Sequence, residues 1–269
     1  LFDKDTSTQN FEEDVLVTGF GLAPVKTEGQ GTHYDSETQG YVARAVHVAY
    51  GLGYIVTREE RDDNLYEVVG KRRSGALAFS FRQTKENVAA NIYNRAATSG
   101  YTGGDGQVLT VTTHPTKSGN QSNILSTAAD MSEISLEDMC IQIMGATNDK
   151  GLKINLMPQS LHVPRQEWFE ANRILKSVLQ SNTANNDLNV LKSTNVFPKG
   201  IKLNHYFSDS DVVFIRTNVP RGMICYQRVP MEFKQDNDFD TDNAKAKCYE
   251  RYSFTWTDWR GVYSNGRGS

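Results

Sequence analysis

Asp236, Asp238, Asp240 and Asp242 stand at alternate positions of one short run, a spacing that invites a test for metal chemistry. The first three match positions one, three and five of a calcium loop, where carboxylate oxygens converge on a hard cation. The match then breaks. Position six is Thr241, where the sharp turn needs glycine, and position twelve is Lys247 in place of a bidentate glutamate. The run therefore reads as a polar hairpin tip with no metal bound. Carboxylates so placed repel one another unless they meet cations, and a neighbouring subunit is one source of that positive charge.

Other reactive residue types are thinly supplied. The histidines are His33, His47, His114, His162 and His205, and none lies three to five residues from another histidine or a cysteine, so spacing builds no metal cluster. They read as single structural histidines. His33 and Asp35 form a remote pair for a soluble hydrolase, but no nucleophile elbow, zinc-protease helix or phosphate-cradling glycine loop accompanies them. Cys140, Cys225 and Cys248 are odd in number and lack a C-x-x-C spacing, which predicts neither a disulfide framework nor a zinc knot and suits folding in a reducing cytoplasm. No enzyme chemistry is indicated, and no cofactor is expected.

The elements that would position these residues follow from periodicity. Residues 1–18 read as an extended polar arm, and the opening Leu1, without Met or a signal-peptide pattern, reads as a processed start. Tyr41 to Thr57 is rich in β-branched and aromatic residues and predicts one long strand. Gly29 to Glu37 is expected to pair back on it across a tip near Gly40, making a two-stranded ribbon. Such a ribbon is marginal alone and calls for support from a neighbouring copy. Leu77, Phe81, Thr84, Val88 and Ile92 recur at three- and four-residue steps, predicting a long helix over about 71–97.

A Gly- and Thr-rich loop follows, and then a helix from a Ser135 N-cap through Met144, with Asp138 at the capping-box position. Lys153–Met157 is expected as a short strand and Pro164–Ser177 as a third helix. Strands return over Ile201–Thr217 and Cys225–Lys234, and Lys245–Trp256 comes back from the acidic tip.

The chain has 269 residues, of which 38% are hydrophobic and 23% charged, enough for a substantial core and too apolar for wholesale disorder. Lys and Arg number 29 against 32 Asp and Glu, a net charge of −3 that gives no reason to coat nucleic acid. No apolar window is long enough to span a membrane, so no membrane partner is expected.

Several runs resemble one known family. Ala23-Pro24-Val25-Lys26-Thr27-Glu28-Gly29, leading to Tyr34-Asp35, resembles the extended loop of tailed-bacteriophage major capsid proteins with the Hong Kong 97-like fold, and Gly53-Tyr54-Ile55-Val56-Thr57-Arg58-Glu59 resembles the strand that feeds their spine helix. Asp105-Gly106, His114-Pro115 and Ser122-Asn123 are similar to the linking segment of the phage-Mu-type major head subunit branch. So are Asn186-Asp187-Leu188-Asn189-Val190 and the ending Asp258-Trp259-Arg260-Gly261-Val262-Tyr263. The order of elements matches that family over nearly the whole chain.

The resemblance implies an α+β fold with an N-terminal arm (1–18), an extended β-ribbon loop (19–57), a peripheral domain (58–125 and 226–257) carrying the spine helix, and an axial domain (126–225 and 258–269). It implies a head protein that self-assembles as hexamers and pentamers into an icosahedral shell, built in the host cytoplasm and carried in the virion. The shell would enclose double-stranded DNA without binding it specifically, with portal, scaffold and decoration proteins as partners. An encapsulin-like nanocompartment shell is the alternative. Residues expected at subunit contacts are Lys26, Glu28, His33, Tyr34, Asp35, Val42, Arg44 and Val46 on the ribbon, and Asp236, Asp238, Asp240 and Asp242 on the hairpin tip. Some family members join a loop lysine to a neighbour's asparagine. Lys26 reads as lying near the foot of the loop, with no companion asparagine to single out, so no crosslink is expected.

Overall fold

The computed structural model describes residues 1–63, 66–179 and 187–266. Asn186 and the last three residues of the expected axial segment lie outside that range. The chain opens with β1 (Asp3–Thr6) and β2 (Phe11–Thr18), then crosses an irregular loop to β3 (Thr38–Val46) and β4 (Val48–Val56). Alpha helices α1 (Arg58–Asp62) and α2 (Tyr66–Asn94) follow, then a short hairpin of β5 (His114–Thr116) and β6 (Gly119–Gln121). The middle of the chain is α3 (Glu133–Met144), β7 (Pro158–Val163), α4 (Trp168–Lys176), α5 (Val190–Ser193) and β8 (Ile201–Leu203). It closes with β9 (Phe214–Thr217), β10 (Met223–Asn237), β11 (Ala244–Trp256) and β12 (Val262–Ser264).

Two four-stranded sheets organise this α+β fold, in the orders β1-β10-β11-β4 and β12-β9-β7-β8. Helix α2 joins them. Around its middle, Leu77 and Phe81 pack on Cys248, Tyr50 and Tyr54 of the first sheet. Near its end, Tyr93 reaches Phe214, Met223 and Val262, where Leu109 and Val212 complete a cluster that also takes in Ala96 just beyond the helix. The predicted stripe is thus real, although the helix starts before residue 71 and ends at Asn94, and Thr84, Val88 and Ile92 are only half-buried. At 1.5 Å per residue it extends about 43 Å. Between the two apolar contacts Lys85 pairs with the buried Glu250 and lies 4.8 Å over the Tyr252 ring.

The largest core lies on one face of the second sheet, where Leu136, Met139, Cys140 and Ile143 of α3 and Ala171 and Ile174 of α4 cover Leu161, Val163, Val213 and Ile215. The cap of α3 is Ser132, three residues before the serine expected from the sequence. Its hydroxyl accepts from the Ser135 N–H at 3.1 Å, and the Ser132 N–H donates to the Ser135 hydroxyl at 2.8 Å. Serine therefore does the work that glutamate usually does at the third position of the box. Lys153–Met157 is not a strand: Lys153 makes one isolated bridge with Thr147, and the pairing strand is β7.

The ribbon departs furthest from expectation. Its partner strand is β2, paired antiparallel from Phe11 opposite Val46 to Thr18 opposite Thr38, and the segment 19–37 is the connecting loop. Gly40 is inside β3, not at a tip, opposite a register shift between Val15 and Val17. A side chain on it would meet the Leu16 carbonyl at 3.0 Å, which is why glycine serves there. The single long strand expected over Tyr41–Thr57 is also divided. Its second half, β4, leaves the ribbon after His47 and becomes the edge of the first sheet, pairing with β11 from Val48 opposite Tyr252 to Val56 opposite Ala244.

Candidate assembly surfaces

The ribbon base is fastened before its loop projects. On β3 alternation puts Ala43 and Ala45 inside, Ala45 against Ile224 and Tyr226, while Val42, Arg44 and Val46 face out. Beside it the chain passes so close that a Cβ on Gly104 would stand 2.6 Å from the Val42 carbonyl oxygen. The Arg221 guanidinium ties the arm to the ribbon, reaching Asp5 at 2.9 Å and Asp14 at 3.3 Å.

Asp35 closes the loop. It accepts from the Gly21 N–H at 2.7 Å and from the Ser36 N–H at 2.9 Å, and pairs with Lys150 at 3.0 Å. The Gly21 amide above all, then Lys150, hold its carboxyl well below the usual carboxylate range. With its oxygens so occupied, Asp35 is a staple across the two legs of the loop and does not act as a partner for His33, which is exposed. The hydrolase pair suggested by their spacing therefore does not form.

Beyond that staple the loop has little of its own chain to lie on. Val25 is 94% exposed, Tyr34 89%, Leu22 81% and Phe20 59%. Lys26, Glu28 and His33 are exposed on the same loop. Lys26 thus belongs to the projecting loop, not to its foot, because the loop is 19–37 and the ribbon strands lie outside it. Arg44 is engaged within the ribbon, 3.6 Å from Glu13 and 3.9 Å from the Phe11 ring centre. Val42 and Val46 complete an outward apolar edge.

The acidic tip lies away from this loop, at the far end of β10 and β11. Two of its carboxylates find cations within the chain: Asp238 pairs with Lys245, which holds its carboxyl below the ordinary range, and Asp242 pairs with Arg58 at 2.5 Å. Asp242 has a φ of 57°, the left-handed conformation that aspartate tolerates at a turn. Among the described residues neither Asp236 nor Asp240 makes an ion pair, so the tip keeps two uncompensated charges beside Phe239, which is 97% exposed. No group of His, Cys, Asp and Glu among the described residues could hold a metal ion, and no described helix is long and apolar enough to cross a membrane.

Sequence reasoning missed the apolar loop residues Phe20 and Leu22 as contact candidates, and missed Phe239. It also passed over Phe79 on α2 and Ile134 and Ile141 on α3, all exposed. The usable signal was present: each lies off the buried stripe of its helix, in a glycine-rich turn, or, for Phe239, in a run of aspartates, where a large apolar side chain has no core to enter.

The histidines of the interior are built in. His114 lies between Asp105 at 2.6 Å and Asn123 at 3.2 Å, and stacks on Trp259 with ring centres 4.3 Å apart. Asn123 in turn donates to the carbonyls of Leu109 and Val262. These contacts bind the long loop after α2 to the C-terminal segment.

Comparison with solved structures places this architecture among capsids. The capsid of Ralstonia phage GP4 superposes with a TM-score of 0.60 over 98% of this chain and 86% of that one, at 12% identity. The capsid of an empty GTA particle gives 0.56 over 98% and 86%, at 10% identity. A virus-like particle from Pyrococcus furiosus gives 0.55 over 98% and 89%, at 13% identity. A search of curated protein sequences returns no match. At such identities the structures speak for the fold. The sequence profile described as phage capsid protein matches residues 41–265, most of the chain, and the protein belongs to that family.

Proposed function

We propose that this capsid protein is a major head subunit with the Hong Kong 97-like fold, in the phage-Mu-type branch, and that it tiles an icosahedral shell as hexamers and pentamers around double-stranded DNA. The observation that carries this reading is the loop 19–37, which holds Phe20, Leu22, Val25 and Tyr34 in solvent on a fastened ribbon. An isolated soluble chain gains nothing by projecting such a patch, whereas a subunit covered by its neighbours buries it. In this reading α2 is the spine, the first sheet belongs to the peripheral domain, and the second belongs to the axial domain at the capsomer centre. Lys26, Glu28, His33, Tyr34, Val42 and Val46 are contact residues, with Asp35 and Arg44 shaping the ribbon that presents them. A net charge of −3 suits an inner wall that does not hold packaged DNA tightly. Portal, scaffold and decoration proteins are the further partners.

Electron microscopy of the purified protein tests the proposal: closed shells with six- and five-fold capsomers and DNA inside are the expected result. Shells filled with enzyme cargo and free of DNA would favour a nanocompartment instead. A monodisperse 30.1 kDa species with hydrolytic turnover would overturn both.

The acidic tip gives a second expected result. In this reading copies of the tip approach one another where capsomers meet, and Asp236 and Asp240 face lysines or arginines of neighbours. Replacing all four aspartates by Asn leaves subunit folding nearly unchanged, since exposed pairs contribute little, but lowers shell thermal stability in a salt-dependent way. The Asp236→Asn, Asp240→Asn double variant reproduces most of that loss, because Asp238 and Asp242 are already paired within the subunit. Superimposable melting curves at low and high salt for wild type and variants would leave the run a solvated turn.

A further inference from the structure

His47 is the single residue between β3 and β4, the point where the chain leaves the ribbon and enters the first sheet. Its side chain is buried, and each ring nitrogen meets a hydroxyl: Nδ1 lies 2.9 Å from the Ser253 Oγ of β11, and Nε2 lies 2.8 Å from the Ser7 Oγ of the arm. The Ser7 hydroxyl donates to Glu12 of β2 at 2.6 Å and accepts from the Gln9 N–H at 3.2 Å. Because its one proton goes to the carboxylate, Ser7 accepts from His47, so Nε2 carries the hydrogen. Nδ1 is then the acceptor for the Ser253 hydroxyl. A directed chain runs from Ser253 through His47 and Ser7 to Glu12, and it spans β11, the ribbon hinge, the arm and β2.

The surroundings suit a neutral ring. From β11, Arg251 directs its guanidinium at the His47 carbonyl at 3.4 Å; from β10, Arg228 reaches the Ser7 carbonyl at 3.5 Å, and the Tyr226 ring lies 6.2 Å away. Among the described residues the carboxylate facing the imidazole is Glu12, and it acts through Ser7. Burial first, and then Arg251, hold the imidazole below its ordinary value against the opposing pull of Glu12.

We propose that His47 is a protonation-sensitive latch on the ribbon: neutral, it locks the arm and ribbon to the first sheet, and a proton taken from solvent at Nδ1 releases them. Protonation turns Nδ1 from acceptor to donor, so the Ser253 hydroxyl must reverse its direction, and it places a second cation beside Arg251 at a buried ring. The sign follows from linkage. A histidine depressed in the folded state binds fewer protons there than in the open state, so protection is full above the open-state value and falls as pH drops below it. The consequence for shells, a change of ribbon angle on acidification, rests on the assembly reading, while the latch itself is a property of the single chain.

Hydrogen–deuterium exchange on the full-length unassembled chain, corrected for intrinsic rates, tests it without reference to shells. Between about pH 7.5 and pH 5, peptides covering β2 and β3 are expected to lose roughly tenfold protection, a loss read against the same peptides in His47→Gln. In His47→Gln the amide donor to Ser7 persists and the titration disappears, so ribbon protection becomes flat with pH. Arg251→Gln removes the neighbouring cation that opposes a charged ring, and the midpoint moves to higher pH. Glu12→Gln moves it lower. A pH response that survives in His47→Gln, or midpoints unmoved in both other variants, would overturn the latch. Should His47→Gln not fold, the opposite shifts of the other two variants still decide.

Discussion

Val88→Pro is expected to abolish shell formation and to cost the subunit about 3 kcal/mol or more in urea unfolding, because proline removes a helical hydrogen bond and its ring clashes with the preceding turn. The position sets the size of the effect. Val88 lies between the apolar contact of Leu77 and Phe81 with the first sheet and that of Tyr93 with the second. A kink there cannot keep both ends seated, and it also moves Lys85 away from the buried Glu250. Val88→Ala is the companion, since it deletes half-buried methyls without touching the backbone. It is expected to cost about 1 kcal/mol, a typical value for a single substitution, and to leave shells visible by electron microscopy. Normal particles from the proline variant would show that α2 does not act as one continuous beam.

The second large effect is expected at Arg260. Its guanidinium is buried, reaches Asp149 at 2.7 Å and Asp258 at 3.3 Å, donates to the Thr147 carbonyl at 3.1 Å, and lies 4.3 Å over the Trp259 ring. Arg260→Ala leaves two carboxylates facing each other in a dry site, a loss of about 3–5 kcal/mol. For a chain of this size that is a fall of roughly 6–20 °C in thermal midpoint.

The deficit has a pH signature. Burial already holds the Asp258 carboxyl above its ordinary value, and without the guanidinium it is driven further up. The folded variant then binds more protons than the unfolded chain, so its stability rises as pH falls, and the gap to wild type narrows in acid. Arg260→Lys keeps a charge but not the fork that reaches both aspartates, and lies between the two. A gap that stays constant from neutral to acid pH would assign the loss to packing on Trp259 instead.

Local pattern was enough for some of this architecture. The stripe of Leu77 and Phe81 announces α2 because a helix returns every third or fourth residue to one face, whatever that face later meets. The strand-like stretches Cys225–Lys234 and Lys245–Trp256 likewise announce the β10–β11 hairpin around a polar tip, since the two strands are neighbours in sequence and pair across a short turn. The family likeness, read from short ordered runs, carried the mixed α+β class and the phage capsid family to the same place as the structures and the sequence profile.

The ribbon was not legible in the same way. Both 11–18 and 29–37 are polar, extended segments upstream of β3, and nearest-neighbour pairing favours the second. The structure instead spends 19–37 on a loop and pairs β2, because the arm is held beside β10 by β1 and by Arg221 with Asp5 and Asp14. The end of the ribbon at His47 was hidden for a related reason: both halves of 41–57 are strand, and only the partners change, β2 on one side and β11 on the other. The acidic tip shows the same division. Its spacing and charge were plain in the sequence, but which aspartates remain unpaired depended on Arg58 arriving from nearly two hundred residues away. By itself, then, the sequence determined the elements whose hydrogen bonds and burial periodicity are local, together with the family they belong to. The tertiary structure decided strand partners, the hinge and the free charges, because each of these depends on contacts between segments distant along the chain.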